Sequence, residues 1–289
     1  MANNNPYRID GPAVISFSGG RSSGYMVTQI VRAHGGTLPP DVVTAFANTG
    51  KEMPETLDFV RDLGDYLNVP ITWLEYASHD EPMKRWKIVS YETAARNGEP
   101  FTALLRDKGF LPNPVARLCT INLKRKPILH WAREVLGTRD YDTVIGYRAD
   151  EPRRFSGLGP QKDGDDKIAP MATAGVTKRD VEAFWKSQNW DLRLPNINGS
   201  NPMGNCDLCF LKGWKTIMGL IRLNPSLADW WIEVETDART RKPNGATFRK
   251  DRPTYAQMKQ MVLDQTDIDG VPDDEAFSCT VCDIEEAAA

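Results

Sequence analysis

No apolar run in this 289-residue chain approaches the roughly 18 residues that cross a bilayer. The N-terminal MANNNPYRID lacks the apolar centre of a secretion signal. A membrane partner is therefore not expected, and the cytoplasm is the expected compartment. An excess of positive charge is also missing: 36 Lys and Arg face 39 Asp and Glu, a net charge of -3. That excludes a surface basic all over, of the kind that binds nucleic acid without further design, and leaves room only for a local basic cleft. Cysteine is scarce. Five residues, Cys119, Cys206-x-x-Cys209 and Cys279-x-x-Cys282, cannot staple a chain of this size, and their pairing points to metal or redox chemistry instead. The three histidines, His34, His79 and His130, stand alone in sequence and read as structural or surface residues.

What the chain does have is alternation. AVISFS (13–18), VVTAFAN (42–48), ITWLEY (71–76) and TVIGY (143–147) are short, apolar and bounded by turn residues, as strands are. Between them, Met26, Val27, Ile30 and Val31 keep helical spacing before Gly35-Gly36, and Leu57, Val60, Leu63 and Leu67 do so after Pro54. A further amphipathic stretch runs from about Lys126 to Leu136. Strand and helix in alternation predict an α/β fold with a mostly parallel sheet, helices on both faces, and ligands beyond the carboxyl ends of the strands. The second half changes character. GLGPQKDGDDK (157–167) and LPNINGSNPMGN (194–205) read as loops, helices return near 213–223, 226–235 and 254–264, and the tail is acidic around its two cysteines. The division expected is residues 1–195 as a nucleotide-binding α/β unit and 196–289 as a helical, cysteine-containing C-terminal region.

The turn after the first strand, Ser18-Gly19-Gly20-Arg21-Ser22-Ser23-Gly24, is the first candidate site. A Walker A loop would need Lys and a hydroxyl where Tyr25-Met26 stands, and a dinucleotide fingerprint would need Gly where Arg21 stands. Both fail on chemistry. Two glycines that free backbone N–H groups, serine hydroxyls and a helix N-terminus still make a good anion cradle. The alternative is a solvated strand-to-helix turn.

Ser18 to Ser23 match the Ser-Gly-Gly-x-[Asp/Ser]-Ser loop of the PP-loop ATP pyrophosphatases. Further segments follow in the order of one branch of that superfamily, the phosphoadenosine phosphosulfate (PAPS) reductases: Thr49-Gly50 with Pro54-Glu55-Thr56, RLCTINLKRKP (117–127), GYRADEPRR (146–154), APMATAGVTKRDVEAFW (169–185) and GNCDLC (204–209). The chain thus resembles the PAPS reductase family over roughly residues 11 to 215. The resemblance implies an adenine nucleotide alpha hydrolase-like fold that binds ATP, adenylyl sulfate or PAPS. Ser16, Ser18, Gly19, Gly20, Arg21, Ser22, Ser23, Thr49, Gly50, Glu55, Lys124, Gly146, Arg148, Arg153 and Arg154 would lie at the nucleotide, with Arg125 adding positive charge. Guanidinium forks suit phosphate or sulfate oxygens.

The family's cluster-bearing reductases imply a 4Fe-4S cluster here. Cys119, Cys206 and Cys209 match three ligands, Thr120 replaces the fourth, and Cys282 or Cys279 is available to complete the set. A zinc site on the two Cys-x-x-Cys pairs and unmetallated thiols are the alternatives. The family's nucleophile lies in a Glu-Cys-Gly-x-His tail; SCTVCD stands here instead, so Cys279 and Cys282 are the catalytic candidates, amid carboxylates that oppose thiolate formation.

Three functions follow. The first is an iron-sulfur-dependent sulfonucleotide reductase that uses a thioredoxin-like reductant. The second is an ATP pyrophosphatase, with magnesium, that adenylates an acceptor, including a nucleic-acid acceptor, for attack by a sulfur or nitrogen donor. The third is a nucleotide-binding protein without turnover; Ser22 stands where many ATP-cleaving relatives have the Asp that helps hold magnesium.

Overall fold

The computed structural model describes residues 5–161, 165–197, 201–241 and 247–264. Cys279 and Cys282 lie outside the described residues. Six strands form one sheet in the order β4-β3-β2-β1-β5-β6. The apolar, β-branched runs become β1 (Ala13–Phe17), β2 (Val42–Asn48), β3 (Ile71–Glu75) and, after the short edge strand β4 (Lys87–Val89), β5 (Tyr141–Ile145) and β6 (Asp165–Ile168). All pairings are parallel except β3 with β4. β1 is therefore central, with β2 on one side and β5 on the other.

Side chains that alternate across the pleat feed two cores. Ala13, Ile15 and Phe17 of β1 face α1 (Arg21–Ala33) and α2 (Pro54–Leu67), while Val14, Ala45 and Leu74 face the opposite layer. That layer holds α4 (Lys126–Leu136), which follows α3 (Glu99–Lys108). Helices thus cover both faces, as the alternation predicts. After β6, the short α5 (Pro170–Thr173) leads into α6 (Lys178–Ser187), whose Val181 and Trp185 join the first core. A full turn of π-helix, Thr120–Arg125, runs into α4. Pro127 accounts for it: a proline just inside α4 has no N–H to donate and crowds the preceding turn, which widens.

The C-terminal helices α7 (Trp214–Leu223), α8 (Asp229–Arg241) and α9 (Tyr255–Leu263) match the helical reading of that region. Their core is aromatic: Phe210 stacks on Phe248 and Trp231 on Tyr255, at centroid separations of 5.4 and 5.1 Å. The same core takes in Phe101 and Leu104 of α3 and Leu118 and Leu123 before α4. The polar stretch 157–167 departs from its loop reading, because Asp165 to Lys167 pair with Tyr141 to Thr143 and begin β6. Two acidic residues and a lysine conceal an edge strand whose outer side needs no apolar partner. Among the described residues no helix is long and apolar enough to cross a membrane.

One buried junction ties the sheet to the C-terminal helices. Lys51, in the loop after β2, pairs with Asp207 at 2.9 Å, the two side chains being 9% and 7% exposed. Asp207 also accepts from Trp231 Nε1 at 2.8 Å, its own N–H donates to the Lys51 carbonyl, and the Lys51 ammonium lies over the Trp230 ring. Removing one charge of a buried pair strands the other. Asp207→Asn should lower unfolding free energy by about 3–5 kcal/mol, measured by urea titration.

On α4, burial and the nearby Lys126 and Arg133 hold the His130 imidazole below its ordinary value of 6.5. The unfolded chain then binds the proton more readily than the folded one, so stability is full above that value and falls as pH drops through it. His130→Gln should flatten the stability profile between about pH 7 and pH 5, checked by denaturation midpoints across that range.

Candidate functional site

β1 ends at Phe17, and the chain reverses through Gly19, whose φ of +76° is the left-handed region that glycine enters without strain. The turn is also tight. A Cβ on Gly19 would come within 2.7 Å of Thr56 Cγ2 at the start of α2. Gly20 then caps α1 in extended conformation, and no side chain caps that helix end. Ser18 and Ser23 brace the turn: Ser23 Oγ accepts from the Ser18 N–H at 3.2 Å, lies 2.9 Å from Ser18 Oγ and donates to the Gly20 carbonyl. The result is a preformed strand-to-helix turn with the positive end of a 13-residue helix behind it.

Two further walls rise from the neighbouring strands. After β2, Thr49 donates from its N–H and hydroxyl to the Glu52 carboxylate, Gly50 takes a φ of +78°, and α2 begins at Pro54. Glu55 Oε2 and Thr56 Oγ1, in the first turn of α2, are buried with no hydrogen-bond partner. After β5, Gly146 packs so closely on α1 that a Cβ there would lie 3.1 Å from Ser23 Cα. This close approach carries Arg148 to the turn, where its Nη1 donates to Ser22 Oγ at 3.1 Å. Turn, Thr49-Gly50 loop and Arg148 thus gather where chain connections leave β1 on both sides, at the carboxyl edge where open α/β sheets bind ligands.

Other candidates are placed differently. Arg21 turns away from the loop and pairs with Asp191 at 2.7 Å, with a second bond to the Leu192 carbonyl. Trp185 Nε1 donates to the Arg21 carbonyl, so this arginine anchors the segment around α6. Ser16 points to the α4 face, not into the turn, because it shares the parity of Val14. Lys124, on the π-helix, is buried 3.7 Å from Glu52 Oε1. Arg148 carries counterions of its own, Asp150 at 2.9 Å and Glu151 at 3.4 Å. Arg154 pairs with Glu151 and covers the Tyr147 ring, and Arg153 is exposed. The arginine segment is therefore partly neutralised within itself, and Arg148 is the member with a described hydrogen bond to the turn. Asp191 and Glu52 carry no local signal; only the long-range packing that sets Arg21 and Lys124 beside them reveals their part.

Cys206 and Cys209 are buried and Cys119 half-buried, all at the aromatic C-terminal core. Cys206 Sγ lies 3.4 Å from Thr49 Oγ1, and Glu52 forms a β-bridge with Cys206. Among the described residues no group of three or more His, Cys, Asp or Glu side chains is arranged to hold a metal ion. Cys279 and Cys282, the residues expected to complete a cluster or a zinc site, lie outside the described residues.

No protein-family model matches the chain. It is similar to an uncharacterized nin region protein of Escherichia phage lambda, ORF290, with 31% identity over 233 residues that cover 79% of this chain and 76% of that one. Among solved structures it is similar to the phosphate complex of phosphoadenylyl-sulfate reductase from Candida auris. There the identity is 17% and the TM-score 0.39, with 61% of this chain and 72% of the other covered. At that distance the likeness carries no weight for activity, and the fold class stands on the strand order and the two helix layers.

Gly19→Ala should destabilise the protein by about 1–3 kcal/mol, from a left-handed alanine and the Thr56 clash together. Adding Thr56→Ser, which removes the clashing methyl, should restore part of that loss in the same denaturation assay.

Proposed function

The chain belongs to the family of the phage lambda nin region protein ORF290, and we propose that it is a PAPS reductase-like enzyme that binds an adenine nucleotide at the carboxyl edge of its sheet. The observation that carries this reading is the turn itself. An uncapped helix N-terminus sits behind left-handed Gly19, and Arg148 is held on Ser22 by a 3.1 Å hydrogen bond. Backbone N–H groups at a helix start and a guanidinium bonded to the same turn suit a phosphate or sulfate group. Thr49-Gly50 and the first turn of α2 would form the adjoining wall, where the unpartnered Glu55 and Thr56 oxygens are ready to meet ligand or water.

In the first form of the proposal the ligand is adenylyl sulfate or PAPS, and a thiolate of Cys279 or Cys282 attacks its sulfur. The S–O bond to the nucleotide phosphate breaks, the nucleotide leaves, and a dithiol reductant then releases sulfite from the S-sulfo cysteine. Arg148 favours this form, since it sets a positive charge on the serine that replaces a magnesium-holding Asp in many ATP-cleaving proteins with such a turn. The intact Ser-Gly-Gly sequence of the turn favours a second form, cleavage of ATP between its α and β phosphates to activate an acceptor.

Equilibrium binding of ATP, adenylyl sulfate and PAPS, followed by assays for sulfite and for pyrophosphate, tests both. Arg148→Ala should weaken binding of the preferred nucleotide by about 10- to 100-fold, the worth of a charge-assisted hydrogen bond. Sulfite release with a dithiol selects the first form and pyrophosphate release the second. If none of the three nucleotides binds, or Arg148→Ala binds them as the unaltered protein does, the proposal fails.

A further inference from the structure

We propose that the cleft between α4 and the β1–β5–β6 half of the sheet is a second binding site, one that takes a small zwitterion of the α-amino-acid type. α4 covers its face of the sheet through Ile128, Trp131 and Ala132, which pack on Val14, Ala45 and Leu74. Toward the β6 edge that cover ends, and a small, partly open cleft of about 30 Å³ remains. Its floor carries the side chains of Ser16, Thr143, Asp165 and Lys167, and Arg125 stands at its side. Ile128, Leu129 and Ile145 supply an apolar wall. The register sets Ser16 beside Ile145, Lys167 beside Thr143 and Asp165 beside Tyr141. The floor therefore runs about 13 Å along β5, from the end near the glycine turn to the opposite end of the strand.

Its charges are buried and incompletely used. Asp165 is 4% exposed, and its Oδ1 has no hydrogen-bond partner. Its Oδ2 lies 4.0 Å from Arg125 Nη2, beyond hydrogen-bond reach. Lys167 is 5% exposed, and its ammonium, with three donors to place, reaches Gln161 Oε1 at 3.5 Å. Buried polar groups demand partners, and these demand two kinds at once. A simple cation would satisfy Asp165 but be repelled by Arg125 and Lys167. A simple anion would meet the two cations and leave the Asp165 oxygen orphaned against it. A ligand with an ammonium for Asp165 Oδ1 and a carboxylate for Arg125 and Lys167 satisfies all three, and a cleft this small favours the smallest amino acids.

The full-length protein should be titrated by calorimetry with each of the twenty amino acids, and the best ligand compared with its decarboxylated amine and its deaminated acid. The expected result is that one or more amino acids bind roughly tenfold or more tightly than either counterpart, as a paired charge on each end requires. Asp165→Asn and Arg125→Gln should each cost about tenfold or more in that affinity with unchanged circular dichroism, while Arg148→Ala, at the nucleotide turn, should leave it unaltered. Arg125, which is partly exposed, keeps the test decisive if Asp165→Asn does not fold. Absence of binding by any amino acid, equal binding of the amine or the acid, or full affinity in Arg125→Gln would overturn the proposal. The inward charges of β6 would then serve only to keep an edge strand from pairing with other chains.

Discussion

The buried contact of Lys51 with Asp207 is the point on which the molecule's two halves depend. Asp207 bonds to Lys51, to Trp231 and to its own neighbour's N–H, and its backbone donates back to the Lys51 carbonyl. A carboxylate 5% exposed is tolerable only because those donors replace its water. The consequence is geometric. The loop that carries Thr49 and Gly50 toward the candidate site cannot shift without breaking bonds to the aromatic core of α8. Glu52 adds to this by bridging Cys206 while it accepts from Thr49 and neighbours Lys124. The wall after β2 is thus held from the C-terminal side of the protein, outside the sheet to which it belongs.

The opposite wall is held by close packing. Gly146 lets the end of β5 touch α1 at Ser23, and Gly19 lets the turn touch α2 at Thr56. Where chain segments pack at such distances, an added side chain would push them apart, so these glycines set the spacing of the three walls around β1. Arg148 reaches Ser22 because Gly146, two residues before it, permits that approach.

Much of this was legible beforehand. Four of the six strands follow from β-branched runs bounded by turns, and α1, α2 and α4 from apolar residues at helical spacing. The two strands that escaped, β4 and β6, are short edge strands. Lys87, Ile88, Asp165 and Lys167 give no alternation of apolar and polar residues, since an edge is identified by its pairing. α3 was hidden as well, because its apolar residues Phe101, Leu104 and Leu105 serve a core assembled mostly from residues a hundred positions later. At the site, the turn and Arg148 could be read as motifs. The roles of Arg21 as a partner of Asp191, of Ser16 as floor of a separate cleft, and of Lys124 as a neighbour of Glu52 could not.

By itself, then, the sequence determined the local conformations: which runs extend, which coil, and where glycine must admit a left-handed turn. Those follow from side-chain branching, periodicity and steric freedom over a few residues. Tertiary structure decided which charges face a ligand and which face one another. Arg148 and Arg21 are chemically the same and stand at equally suggestive places in their motifs, yet one donates to Ser22 and the other to Asp191, 170 residues along the chain. A guanidinium binds the acceptor that packing brings within about 3 Å, and that distance is a property of the whole fold.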